Sequence, residues 1–470
     1  MSGGGGMVFS SLNFIFIFLP VFFTFYYAVP KCAKNAVLLA GSLCFYFAGT
    51  YKQPWQIILL LLSILTDFCL SVLMQRYPAR RKIFLVSGIV FHIVCLISFK
   101  YSGFLLRELS RIFPQTAAVK VPELPVGISF YTFQGISYLC DVYLRKTEAE
   151  NSLIDFSVYI SMFPQLIAGP IVTYGSISEA LKKRNISLNN ILHGTATFIF
   201  GLGMKVLLAN PLGRMWSNVK AIGFESVSTP LAWMAIAAFS LQIYFDFFGY
   251  SVMAMGLGEM LGFRLPRNFD SPYMSRSVTE FWRRWHMTLG SWFREYVYIP
   301  LGGSRMSAAI TIRNLLAVWL FTGIWHGAGY NFILWGLSMF VLILAEKFIY
   351  GKTLGKSKVS GHIYMMIVIP LSWTVFALDS PAQLGIFLSR LFPFFGRGCF
   401  PSFRYDYIKY LKLYAPFLAA GILFSFKAPL ERISRIKNRI AVCLILCTIF
   451  GACVFCMLRG LDDPFLYFRF

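Results

Sequence analysis

Acidic side chains are scarce in this chain. Its 470 residues hold 20 Asp and Glu against 43 Lys and Arg, and charged residues of both signs together make up 13%. Soluble domains carry about a quarter, so an ordinary water-facing surface is excluded. Histidine is scarcer still, with five residues. Several catalytic signatures are missing: no G-x-S-x-G elbow, Walker loop, H-E-x-x-H pair or Rossmann glycine fingerprint occurs. Nucleotide hydrolysis by a known loop is therefore not expected. No His or Cys cluster has metal-ligand spacing, so no metal is expected, and no internal repeat is visible. The ten cysteines, including a lone C-x-x-C at Cys453 and Cys456, read as small core residues rather than disulfides.

What the chain does have is apolar length. Hydrophobic residues reach 57%, and apolar runs long enough to cross a bilayer recur from end to end. An open sheet would leave edge amides unpaired in lipid. A closed barrel would show short alternating strands. The expected class is all-α: a polytopic membrane protein with about 11–13 transmembrane helices plus re-entrant and interfacial ones. Candidate spans fall near 8–29, 36–50, 55–74, 84–105, 153–174, 189–209, 230–262, 310–328, 331–349, 362–378, 409–426 and 440–457. The stretch 124–142, studded with Gly127, Ser129, Thr132, Gln134, Gly135 and Ser137, reads as a dipping or buried helix. Residues 1–6 read as an added scar ahead of Met7, and the first apolar run as a retained span, since it lacks a basic leader and a cleavage site. The expected divisions are N-terminal spans over 7–123, a core over 124–350 and C-terminal spans over 351–470.

The net charge of +23 does not call for nucleic acid. Basic loops hold cytosolic ends against an anionic leaflet. Arg76, Arg80, Arg81 and Lys82 set one such loop inside. With 124–142 dipping, the loops carrying Lys182, Lys183 and Arg184, the interval Phe263–Arg305, and the loop with Lys427, Arg432, Arg435, Lys437 and Arg439 join them. Both termini then lie outside. Phe263–Arg305, rich in Trp and Tyr, reads as helices lying at or dipping into the membrane surface.

Two histidines sit where histidine is costly. His326 closes the apolar run Leu315–Trp325, and His286 closes Glu280-Phe281-Trp282-Arg283-Arg284-Trp285. On a continuous helix His286 shares a face with Trp282, Leu289 and Phe293, with Arg283 one turn back. An aromatic wall and a cation both disfavour imidazolium, so a neutral base or hydrogen-bond partner is expected there; a buried histidine tying helices together is the alternative. The run before His326, Asn314–Trp325, is short for a span and meets Gly327, Ala328 and Gly329. A helix ending inside protein beside small residues can line a cavity at membrane depth. An uncharged imidazole there can take a proton from a hydroxyl or thiol. Asp246, near Tyr244, Tyr250 and Ser251, is a mid-span carboxylate that needs a partner, either a histidine to orient or an arginine to pair with. Gly249 marks an expected bend.

The string Glu280-Phe281-Trp282-Arg283-Arg284-Trp285-His286, followed by Trp292-Phe293-Arg294-Glu295-Tyr296-Val297-Tyr298-Ile299-Pro300-Leu301-Gly302-Gly303, resembles the membrane-bound O-acyltransferase family, and within it the bacterial branch of the alginate O-acetyltransferase membrane subunit. Supporting matches are Met7–Ser11, Leu124–Phe133, Phe163–Pro170, Tyr244-Phe245-Asp246-Phe247, Gly323-Ile324-Trp325-His326-Gly327-Ala328 and the end Tyr467–Phe470. The chain departs from the alginate pattern at Gln165, where that branch often has His, and at Phe248 and Val252, where it has Ser and Asp. That points to another acceptor.

The resemblance implies helices around a central funnel or tunnel, with His326 as the catalytic histidine and His286 as the second characteristic one. It implies Asp246, Tyr244, Asn331 and Gln165 as supporting residues, and Arg283, Arg284, Trp282 and Trp285 at the donor. The donor would be acetyl-coenzyme A or another acyl thioester on the cytosolic side of the bacterial inner membrane, with no cofactor bound permanently. The receiver would be an extracytoplasmic SGNH-type transferase and finally a cell-surface polysaccharide. D-Alanyl transfer to teichoic acid from a small acidic carrier, docking on the basic Phe263–Arg305 surface, is the rival within the family. A transporter, which would want inverted repeats, and a non-catalytic scaffold are rivals from outside it.

Overall fold

A computed structural model describes residues 7–354, 357–393, 404–428, 438–460 and 465–466. The expected scar at 1–6, the basic cluster Arg432, Arg435 and Lys437, and the terminal string from Tyr467 lie outside the described residues. The described residues are helical with no strand. Ten helices among them are long and apolar enough to cross a membrane. The chain is a multi-pass membrane protein, and backbone satisfaction within each helix is what lets it be one.

Most expected spans appear as helices, and two segments differ. The first apolar run forms only Phe14–Ala28, shorter than a full span. The 153–174 run breaks into Leu153–Ser161 and Phe163–Leu166. Pro164 stands at the start of the second piece, where its missing N–H costs nothing, and Met162 before it is extended. The ambiguous stretch is a 16-residue helix, Ile128–Tyr143, with twelve buried positions. A polar, glycine-bearing helix of that length suits protein surroundings rather than lipid.

The chain divides into two compact units. One comprises Met1–Phe198 with Tyr250–Arg267, and the other Ile199–Gly249 with Asn268–Phe470. In the first, Tyr26 donates to the Leu261 carbonyl at 2.8 Å, and Asp67 meets His92 at 2.9 Å, both buried. In the second, the helices Ala308–His326 and Tyr330–Ala345 form an antiparallel pair across the short turn at Gly327–Gly329. They approach closely at Gly323 and Gly336: a Cβ on Gly323 would fall 2.5 Å from the Phe332 carbonyl oxygen, and one on Gly336 2.4 Å from that of Trp319. Small residues at a crossing are what let membrane helices make close backbone contact.

The helix Thr229–Leu261 is far more buried than any other span among the described residues. A helix apolar all round belongs inside. It stays helical through Gly249, where a bend was expected. That glycine instead admits neighbouring backbone, since a Cβ there would lie 2.8 Å from the Gly201 carbonyl oxygen. The cysteines also correct their sequence reading. Cys95 and Cys453 are buried, but Cys44, Cys69, Cys443 and Cys447 are exposed on apolar helices. A lipid-facing surface accepts the same small apolar side chains as a core.

Candidate active site

The segment expected as one helix through His286 is two. Ser277 caps Val278–Arg284 by accepting from the Glu280 N–H at 3.0 Å, Trp285 is extended, and Met287–Phe293 follows. His286 itself has φ 44° and ψ 52°, the left-handed region. A non-glycine residue there costs of the order of 1–3 kcal/mol and persists only where its surroundings hold it. Asn268 and Asp270 provide the hold. Met287 N–H donates to the Asn268 carbonyl at 2.9 Å, and Asp270 N–H donates to the Arg284 carbonyl at 3.0 Å.

The Asn268 side chain completes the clamp. Its Oδ1 accepts from Thr288 Oγ1 at 2.9 Å and from Thr288 N–H at 3.3 Å, and lies 3.1 Å from His286 Nδ1. An oxygen accepting from two other donors fixes the tautomer by inference: Nδ1 carries the proton and Nε2 a lone pair. Nε2 is buried with no hydrogen-bond partner. Burial lowers the His286 pKa to about 3. The neutral state expected from the sequence thus follows, with burial rather than Arg283 as its cause.

His326 ends the Ala308–His326 helix, which Ser307 caps. At 19 residues it is longer than the short run read from Asn314, because Ala308–Arg313 extends it. His326 is buried, with its ring edge-on to Trp335 at 5.1 Å, Phe376 at 5.3 Å and Trp325 at 4.9 Å. His286 lies edge-on to Phe247 at 4.6 Å and 5.9 Å from the Trp325 ring.

His286 and His326 line one cavity of about 210 Å³. Trp282, Trp285, Leu289, Phe293, Trp319 and Thr322 share its wall, with Arg294 and Tyr298 from a π-helical turn, Arg294–Tyr298. Single π-turns often occur at functional sites. Trp282 packs edge-on to Trp319 at 5.1 Å and Trp335 at 5.4 Å. Aromatic walls around the two imidazoles lower the local dielectric and strengthen any hydrogen bond made against them.

The expected donor residues part company. Trp282 and Trp285 face the cavity. Arg284 pairs with Glu280 at 2.8 Å. Arg283 lines a separate cleft of about 530 Å³ with Arg276, Glu280, Glu346 and Lys347. Leu315 lines both spaces. Glu346 accepts from Val278 N–H, from Thr279 N–H at 2.9 Å and from Thr279 Oγ1 at 2.7 Å, so it is already committed to a helix start.

The supporting residues divide too. Asp246 pairs with Lys205 and accepts from the Leu466 N–H at 2.6 Å. The expected choice between a histidine and an arginine goes to a lysine. Asn331 donates to the Phe376 carbonyl at 2.9 Å, steadying a ring that packs on His326. Tyr244 stacks on Phe248 at 5.3 Å and lies behind Trp285 at 6.0 Å. Gln165 belongs to the other unit, where it donates to the Tyr159 carbonyl at 2.6 Å. Among the described residues no three His, Cys, Asp or Glu side chains converge as a metal site would need.

Sequence reasoning missed Asn268, Lys205, Arg294, Tyr298 and Thr322. Lys205 had a signal: it is a lone cation in an apolar run, as Asp246 is a lone anion in another, and each needs the other. Asn268 had none, because its role depends on a backbone turn.

Residues 43–354 match the model of the membrane-bound O-acyltransferase family. The chain is 40% identical over 341 residues to a "probable alginate O-acetylase" of Pseudomonas aeruginosa, covering 70% of this chain and 64% of that protein. It is 36% identical over 368 residues to a peptidoglycan O-acetyltransferase of Helicobacter pylori, covering 70% and 68%. A teichoic acid D-alanyltransferase of Bacillus subtilis is more distant, at 27% over 235 residues, covering 47% and 59%. The family match spans the stretch that builds the two-histidine cavity, and with the extent of the likeness to the alginate relative it places the chain: it belongs to the membrane-bound O-acyltransferase family.

Proposed function

We propose that this protein moves an acetyl group from a cytosolic thioester, such as acetyl-coenzyme A, toward an extracytoplasmic polysaccharide, by way of an exported SGNH-type partner. The observation that carries the reading is that His286 and His326, both buried residues, line one aromatic-walled cavity. The greater identity to acetyl-transferring relatives than to the D-alanyl one supports acetyl as the group.

The two histidines take different roles. His286, held at about 3, is too weak a base for a hydroxyl proton, but its Nε2 lone pair is a fixed hydrogen-bond acceptor. His326 is the general base. It takes the proton of the acceptor hydroxyl as that oxygen attacks the thioester carbonyl carbon. The C–S bond then breaks, and the thiolate recovers the proton from the imidazolium. The charged end of the donor is expected in the cleft of Arg276, Arg283 and Lys347, with the thioester passing Leu315 into the cavity. Guanidinium suits phosphate by its bidentate geometry.

Replacing His326 with Ala, with the protein present in the membrane at its normal level, is expected to lower acetylation of exported polymer by about 10²-fold or more. Unchanged acetylation removes His326 from the reaction. Unchanged activity for both His326→Ala and His286→Gln removes the cavity as the site.

A further inference from the structure

We propose that the first unit carries a second anion site, a pocket for a negatively charged phosphate group held by Arg81 and Arg145. It lies apart from the two-histidine cavity in chain and in chemistry, and it does not rest on the acyl-transfer reading. The pocket is a hollow of about 330 Å³ lined by Met74, Gln75, Pro78, Val142, Thr147 and Ala149 besides the two arginines and Glu148. It sits where the span Trp55–Arg76 ends and the span Pro78–Ser110 begins. That is the level at which phosphate headgroups meet a helical membrane protein.

Three features point to an anion. The first is the backbone of Arg145, with φ 58° just past the end of the helix Ile128–Tyr143. The turn is a helix-ending motif: Lys146 N–H donates to the Asp141 carbonyl at 2.9 Å and Arg145 N–H to that of Val142 at 3.1 Å. Glycine is the usual occupant of such a left-handed position. Keeping a long cationic side chain there opposes the backbone preference, and that exposed side chain lines the pocket.

The second is Arg81. One of its terminal nitrogens donates to the Val142 carbonyl at 2.6 Å, and its guanidinium lies 5.7 Å from the Tyr143 ring, which fixes the group at the pocket wall. Its Nε is buried without a hydrogen-bond partner. A guanidinium held in place by a carbonyl and a ring is a preorganised partner for an oxyanion.

The third is charge placement. Arg80, Arg81 and Lys82 gather at the start of the helix Arg81–Leu96, whose first turn contains no acidic residue. Cations at a helix N-terminus oppose the dipole. Lys146 is already turned to Asp141 at 3.7 Å, leaving Glu148 as the one carboxylate in the pocket lining. A bound anion would be set against the two arginines of the lining.

The test uses the full chain purified in neutral detergent. Thermal unfolding is followed while phosphatidylglycerol, phosphatidylcholine or inorganic phosphate is added at constant ionic strength, for the wild type and for Arg145→Gly. Glycine relieves the left-handed backbone, so the variant without additive should unfold at the same temperature or higher; a lost response is then not a folding defect. The expected result is a saturable rise in unfolding temperature for the wild type, with its midpoint at least tenfold higher in Arg145→Gly. A rise with phosphatidylglycerol alone assigns the site to an anionic lipid headgroup, and a rise with inorganic phosphate as well assigns it to soluble phosphates. Equal titrations for wild type and variant, an equal response to phosphatidylcholine, or no response to any additive overturns the proposal.

Discussion

His286 shows how one residue is set by its surroundings. Its ring lies between Phe247 and Trp325, and its Nδ1 proton is committed to Asn268. As pH falls through about 6.5, the unfolded chain takes up a proton that the folded one refuses until about 3. Stability from this group is therefore whole above pH 6.5 and declines below it, by up to about 1.4 kcal/mol per pH unit. Between pH 7 and 4.5, His286→Gln should flatten the fall in unfolding temperature of the detergent-solubilised protein. Parallel curves for the two proteins would mean that the ring is solvated rather than buried. The histidine was legible because an ionisable group in apolar sequence is conspicuous. Its clamp was not, since Asn268 lies 18 residues away and is brought in by a turn.

At the scale of elements, the pair Ala308–His326 and Tyr330–Ala345 sets the depth of His326. Gly323, one turn before the histidine, touches the Phe332 backbone, so any side chain there pushes the two helices apart. Gly323→Val is expected to destabilise the protein by about 1–3 kcal/mol through overpacking and to lower transfer more than the fall in folded protein explains. The check is activity per folded molecule, measured beside Gly385→Ala, where an added Cβ meets nothing within 4 Å. Equal specific activities would show that the crossing does not position the ring. The existence of these helices was plain in the sequence, as runs of apolar residues are. The break at Trp285–His286 was not, because a period-3.6 pattern of Trp282, His286, Leu289 and Phe293 suits two short helices facing one cavity as well as one long helix.

Across the second unit, Lys205 and Asp246 join parts of the chain that are far apart in sequence, and the Leu466 N–H adds the last described segment. Lys205 sits in a π-helical turn, Met204–Ala209, inside a span. Breaking a buried pair leaves one charge uncompensated and costs about 3–5 kcal/mol, whereas replacing both members with apolar residues of similar size is often neutral. Asp246→Asn is thus expected to reduce the amount of folded protein sharply, and Lys205→Met with Asp246→Leu to restore much of it. Restored folding without restored acetyl transfer would give Asp246 a part in the chemistry beyond holding the unit together.

Composition alone decided that this chain is helical and crosses the membrane many times, because lipid leaves unpaired backbone no alternative. Ordered strings of unusual residues, above all those ending in His286 and His326, decided the family. Only the tertiary structure decided that the two imidazoles share a cavity, that Asn268 rather than a carboxylate fixes one of them, and that Lys205 takes Asp246. Those pairings depend on helix register and turn geometry. In a bilayer, polar groups find partners through such contacts, and residue type announces the need for a partner without naming it.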